Sequence, residues 1–136
     1  MTRTTLPVAT VVLVHAAWAD ASSWIKIIPP LQHGGLQAVA VQIPLSSLSD
    51  DAATLRRFLK RVSGPVVLVG HSYGGAVITA AGSGNSKVKA LVYSAAMALT
   101  KVRLSANSWI ALRLMRALRR LYPTRTRFCG CQRRFR

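Results

Sequence analysis

The feature that most constrains this chain is Gly70-His71-Ser72-Tyr73-Gly74-Gly75, set between the apolar run PVVLVG at 65–70 and the helical pattern at 74–82. It fits G-x-S-x-G in the strand-then-helix context that this motif requires. A strand that turns at once into a helix must hold one residue at a strained backbone angle, and bulk on either side of it would clash. Glycines therefore flank the bend. The strained residue lifts its side chain above the C-terminal edge of the sheet, beside the positive end of the following helix, on the edge where open α/β sheets bind ligands. With glycine at ~7% of residues, the bare pattern arises by chance a few times in a hundred chains of this size; its setting makes it informative. Ser72 is the candidate nucleophile, against the plainer reading of a simple strand-to-helix turn.

The rest of the pattern fits a sheet that can carry such a bend. Continuous β-branched runs recur at 10–15 (TVVLVH), 38–43 (AVAVQI), 65–70 and 88–95 (VKALVYSA), as expected of strands buried on both faces of a parallel sheet. Helical patterns separate them. The first is predicted over 22–33, capped by Ser22 or Ser23, with Trp24, Ile27, Ile28 and Leu31 facing inward, a kink at Pro29-Pro30 and an end at Gly34-Gly35. The second is predicted over 50–62, its acids Asp50 and Asp51 suiting the helix N-terminus and Arg56, Arg57, Lys60 and Arg61 its later turns. Leu55, Phe58, Leu59 and Val62 face inward. The third is predicted over 74–82. The alternation argues for an α/β open parallel sheet of about four strands with flanking helices.

The loop after the first strand, His15-Ala16-Ala17-Trp18, has a second role in this setting. Acyl transfer needs two backbone N–H groups aimed at the oxyanion of the tetrahedral intermediate. In a nucleophile elbow one comes from the residue after the nucleophile, here Tyr73, and the other from this upstream loop, here Ala17. His15, Trp18 and His71 are the candidate substrate contacts.

The blocks VVLVHAAW, SSWIKIIPPLQHGG, VAVQIPLSSLSDDAATLRRFL, VVLVGHSYGGAVITAAG and KVKALVYSAAMA occur in order over residues 8–98. This stretch resembles the α/β-hydrolase superfamily, most closely the small bacterial esterase-like branch related to plant methylesterases and hydroxynitrile lyases. Ala16 stands where that family usually has glycine. The resemblance implies Ser72 as nucleophile, Ala17 and Tyr73 as oxyanion donors, and a small-molecule ester, thioester or amide substrate attacked through an acyl-enzyme with no metal and no organic cofactor. It also implies a triad acid and then a histidine after the serine, yet the 64 residues that follow Ser72 contain no Asp, Glu or His. The general base is missing from its expected place. His71 adjoins the nucleophile but points the other way, His33 lies at a helix end, and only His15 stands close enough to be considered.

Charge divides the chain in two. The net charge is +16, the three acids are Asp20, Asp50 and Asp51, and residues 101–136 carry eleven basic groups and no acid. The expectation is therefore an N-terminal α/β-hydrolase part over 1–98 and a basic tail over 99–136 that does not continue the family pattern, best read as a frame-disrupted or extraneous end. Two other readings stay open. A basic amphipathic helix over 106–122, with Trp109, Ile110, Leu114, Leu118 and Leu121 on one face, would lie on an anionic membrane surface. Clustered arginine would alternatively bind nucleic acid, although no groove-reading motif accompanies it. Either would make the chain a non-catalytic binding protein. Cys129 and Cys131 are too few for a disulfide framework or a zinc site. No run reaches the ~18 apolar residues of a membrane span. The N-terminus imitates a secretory signal, with Arg3, Leu6–Val14 and Ala19-Asp20-Ala21, but the run suits a buried strand better, so a cytoplasmic location is expected.

Overall fold

The computed structural model of the chain describes residues 8–98; the basic tail, with the amphipathic helix considered for 106–122, Cys129 and Cys131, and the first seven residues of the chain lie outside them. Four strands, β1 (Thr10–Val14), β2 (Gln37–Val41), β3 (Val66–His71) and β4 (Val88–Ser94), form one parallel sheet in the order β2-β1-β3-β4. The helices are α1 (Ile28–His33), α2 (Leu48–Arg61) and α3 (Gly74–Gly82).

β1 and β3 are the inner strands, and both are buried on both faces, so their β-branched runs are uninterrupted. Alternate side chains serve opposite layers. Val12, Val14, Val66 and Leu68 pack with Leu55 and Leu59 of α2 and with Val77, Ile78 and Ala81 of α3. Val11, Leu13, Val67 and Val69 pack with Trp24 and Leu31 on the other face. Burying each such leucine contributes about 1.5–3 kcal/mol. β2 departs from the expected two-sided burial: as an edge strand it is only partly covered. It also ends two residues before its predicted end, because the Ile43 amide turns away to meet His15.

The helix expected over 22–33 is two elements. A single 3₁₀ turn spans Ala21–Trp24, and α1 restarts at Ile28 with its prolines in the first turn. Proline has no N–H to give an i−4 carbonyl, so it ends one helix but fits the start of the next. The cap is Asp20, not Ser22 or Ser23; its Oδ1 accepts from the Ser22 amide at 2.7 Å. The Ser22 hydroxyl and amide hold the Asp20 carboxyl below its ordinary pKa.

α2 begins at Leu48, two residues before the expected start, because Ser47 is its cap: the Ser47 Oγ accepts from the Asp50 amide at 3.1 Å. At the other end Lys87 Nζ donates to the Val62 carbonyl at 2.8 Å, satisfying a helix-terminal acceptor with a cation. Among the described residues no helix is long and apolar enough to cross a membrane.

Candidate active site

The chain runs from β1 outward to β2 and then returns past β1 to β3, so the strand order reverses between β1 and β3. Ligands of open α/β sheets bind beyond the carboxyl ends of the strands at such a switch point. Backbone strain concentrates on that edge. The non-glycine residues with positive φ among the described residues are Trp18 (63°), Leu45 (60°), Ser72 (51°) and Ala95 (44°). Each follows the C-terminal end of a different strand. Such conformations cost energy, persist only where the surroundings enforce them, and cluster at functional sites.

The elbow shows how they are enforced here. Ser72 stands between the last residue of β3 and the first turn of α3. Its carbonyl accepts from the Gly75 amide at 3.0 Å and the Met97 amide at 3.1 Å, so the helix start and the segment after β4 both grip the bend. A methyl group on Gly74 would sit 2.5 Å from the Val14 carbonyl oxygen and 2.8 Å from that of His15; one on Gly70 would sit 2.5 Å from the Gly74 carbonyl oxygen. Glycine is required here for close approach. It lets α3 press directly on the end of β1 and brings the elbow alongside the loop that carries Ala17. Among the described residues neither the Ala17 nor the Tyr73 N–H has a backbone acceptor, and both residues are half-buried.

The three histidines differ. His15, expected to contact substrate, is completely buried. Its Nε2 accepts from the Ile43 amide at 3.2 Å, which leaves Nδ1 as the donor to the Ala16 carbonyl at 2.9 Å. Both ring nitrogens are engaged with backbone, so the ring ties the loop after β1 to the chain after β2 and has no free nitrogen for a proton transfer. His71 is exposed, its ring edge-on to Trp24 with centroids 6.4 Å apart and planes at 84°. His33 is the last residue of α1. Trp18 is fully exposed, and Leu45 and Met97 also present apolar surface on this edge. Among the described residues no three His, Cys, Asp or Glu side chains gather as a metal site.

Asp51 has a second role that the sequence did not reveal. It lies in the first turn of α2, as expected. It is also fully buried. Its Oδ2 accepts from the Tyr73 hydroxyl at 2.6 Å and its Oδ1 from the Leu45 amide at 2.8 Å. Burial first, and then the hydrogen bond and charge of Asp51, push the Tyr73 phenol up to about 12. A signal was available: Asp51, Leu55 and Leu59 recur at i, i+4 and i+8, on one helix face. An acid on the apolar stripe needs a partner inside the protein.

Comparison with known proteins agrees with this fold. The model of the alpha/beta hydrolase family matches residues 11–135, so the chain belongs to the alpha/beta hydrolase family. Solved structures sharing the fold include a pyrethroid hydrolase from Sphingobium faniae JZ-2, 26% identical over 66% of this chain and 40% of that one, with a TM-score of 0.59. An extracellular alpha/beta-hydrolase from a Paenibacillus species is 21% identical over 81% of this chain and 52% of its own, with a TM-score of 0.62. A bromoperoxidase from Bacillus anthracis is 23% identical over 67% and 38%, with a TM-score of 0.59. The chain thus spans about two fifths of the pyrethroid hydrolase's length. No curated protein matches it.

Proposed function

We propose that this chain carries the nucleophile half of a serine hydrolase site for small ester-type compounds (carboxylic esters, thioesters or amides). Ser72 Oγ attacks the carbonyl carbon, the Ala17 and Tyr73 amides receive the negative charge on the carbonyl oxygen, and the alkoxide, thiolate or amine departs to leave an acyl-Ser72. The observation that carries this reading is Ser72 held at φ 51° between strand and helix, at the switch point of the sheet. The Ala17 and Tyr73 amides, which have no backbone acceptor among the described residues, support the oxyanion role. In this reading exposed Trp18 and His71 contact the substrate, and exposed Leu45 and Met97 offer apolar surface to its acyl or alkyl part.

For these 136 residues taken by themselves, the same reading sets an upper limit on rate. His15 is committed to backbone, and the 64 residues after Ser72 bring no Asp, Glu or His. The serine proton then passes to solvent, and what remains is the roughly 10³–10⁴-fold advantage over water that oxyanion donors and binding supply without a triad. p-Nitrophenyl acetate tests both parts. Slow p-nitrophenol release that Ser72→Ala abolishes is expected. Release unchanged by Ser72→Ala overturns the nucleophile assignment. Turnover at an ordinary esterase rate overturns the missing base.

A further inference from the structure

We infer that Asp51 is a positioning residue for the oxyanion site, acting through the Tyr73 side chain that it holds and the Leu45 amide that it anchors. The inference rests on the proposed role of Ser72 and the Tyr73 amide.

Tyr73 has two separate duties. Its amide is one of the two groups aimed at the oxyanion, and its own carbonyl starts α3 by accepting from the Ala76 amide at 2.9 Å. The Ser72–Tyr73 peptide that carries this amide is held at its carbonyl by the Gly75 and Met97 amides. The Tyr73 side chain adds a second restraint from the other side of the residue. The phenol reaches α2 and donates to a carboxyl oxygen at 2.6 Å, a short contact of the charge-assisted kind. The carboxyl is itself immobile: it is completely buried, α2 carries it one turn before the core residue Leu55, and its other oxygen is occupied by the Leu45 amide. Leu45 is the strained residue beyond β2. One side chain therefore fixes the loop after β2 and the elbow after β3 together, while His15 fixes the loop after β1 to the chain after β2. The three loops that form the edge around Ser72 are braced by two buried polar side chains from outside the elbow.

A purely structural pair and a positioning pair differ in a measurable way. A structural pair, when broken, lowers the folded fraction and leaves the reactivity of folded molecules alone. A positioning pair, when broken, slows the chemical step in molecules that remain folded. Ser72-dependent phosphonylation by an alkyl fluorophosphonate separates the two: Ser72 Oγ bonds to phosphorus, fluoride leaves, and the phosphoryl oxygen occupies the oxyanion position. The saturation curve gives an inactivator binding constant and a maximal rate, and circular dichroism reports folding.

Tyr73→Phe deletes only the hydroxyl and keeps the Asp51–Leu45 bond; Asp51→Asn removes the charge and one of the two acceptor oxygens. Displacing one oxyanion donor without removing it is expected to lower the maximal rate about tenfold, below the 10²–10³ of complete loss. The binding constant should stay within twofold. Because the two residues act as one unit, the double variant should lose no more than the larger single loss, to within twofold. Folded Tyr73→Phe with the wild-type maximal rate overturns the inference even if Asp51→Asn fails to fold. Additive losses in the double variant also overturn it. Wild-type labelling equal to that of Ser72→Ala overturns instead the reading of Ser72 on which it rests.

Discussion

Replacing Ser72 by glycine should stabilise the protein, and replacing it by alanine should not. An L-residue in the left-handed region costs roughly 1–2 kcal/mol, from the approach of Cβ to the following carbonyl oxygen. Ser72, at φ 51°, bears that cost, and alanine retains it because its Cβ is in the same place. Glycine removes it and in exchange loses more chain entropy on folding, about 0.5–1 kcal/mol relative to alanine. The net gain of Ser72→Gly over Ser72→Ala is therefore about 0.5–1 kcal/mol. Urea unfolding followed by far-ultraviolet circular dichroism reads this as a midpoint shift of about 0.5 M, for a slope of about 1–2 kcal/mol per molar urea in a domain this small. The pairing of the two variants matters, since both delete the hydroxyl and only one relieves the backbone. A Ser72→Gly midpoint at or below that of Ser72→Ala would refute the claim that strain is stored at the nucleophile and that α3 and the segment after β4 hold it there.

Three further outcomes follow from particular contacts. Gly74→Ala places a methyl group 2.5 Å from the Val14 carbonyl oxygen; with backbone on the receiving side it should destabilise by about 1–3 kcal/mol, and an unchanged urea midpoint would show that α3 does not press on β1. Ser47→Ala removes the α2 cap and should cost about 1 kcal/mol in the same assay, whereas Ser46→Ala should cost less because Ser46 touches only the Asp50 side chain. The Tyr73 phenol, raised to about 12 by burial and by Asp51, binds its proton more tightly folded than unfolded. Its contribution to stability is thus full below the ordinary tyrosine pKa near 10 and is lost as pH rises through about 12. The 295 nm titration of wild type minus Tyr73→Phe should have its midpoint near 12, and a midpoint near 10 would remove the Asp51 contact.

The legible parts of this fold were those in which one residue type answers to one physical demand. β1 and β3 were readable because strands covered on both faces require unbroken apolar runs, and the elbow was readable because Gly70, Ser72 and Gly74 each meet a separate steric requirement. α3 was readable from its bounding signals. The edge strand β2 was less so, since half-burial relaxes its pattern and Ile43 leaves it for a long-range bond to His15. The region 21–33 was misjudged as one helix because periodicity alone joined Trp24 to Leu31, while the prolines mark where a second helix begins. The buried partners of Asp51 and His15 were missed for a common reason. Each is a polar residue whose partner lies 22 or 28 positions away, and a linear reading sees the residue without the partner. Asp51 was read only as the helix-start acid that it is, and His15 as an imidazole beside the oxyanion loop.

Ser72 is, by this reading, the reactive hydroxyl at this edge, and none of the three histidines of these 136 residues deprotonates it. Peptide mapping by mass spectrometry after prolonged exposure to an alkyl fluorophosphonate addresses this directly. Adduct should accumulate slowly on the peptide that contains Ser72, with a rate rising in proportion to hydroxide concentration across neutral pH. Adduct spread over lysines and tyrosines with none on Ser72, or rapid Ser72 labelling that switches on with the protonation profile of a histidine, would contradict it.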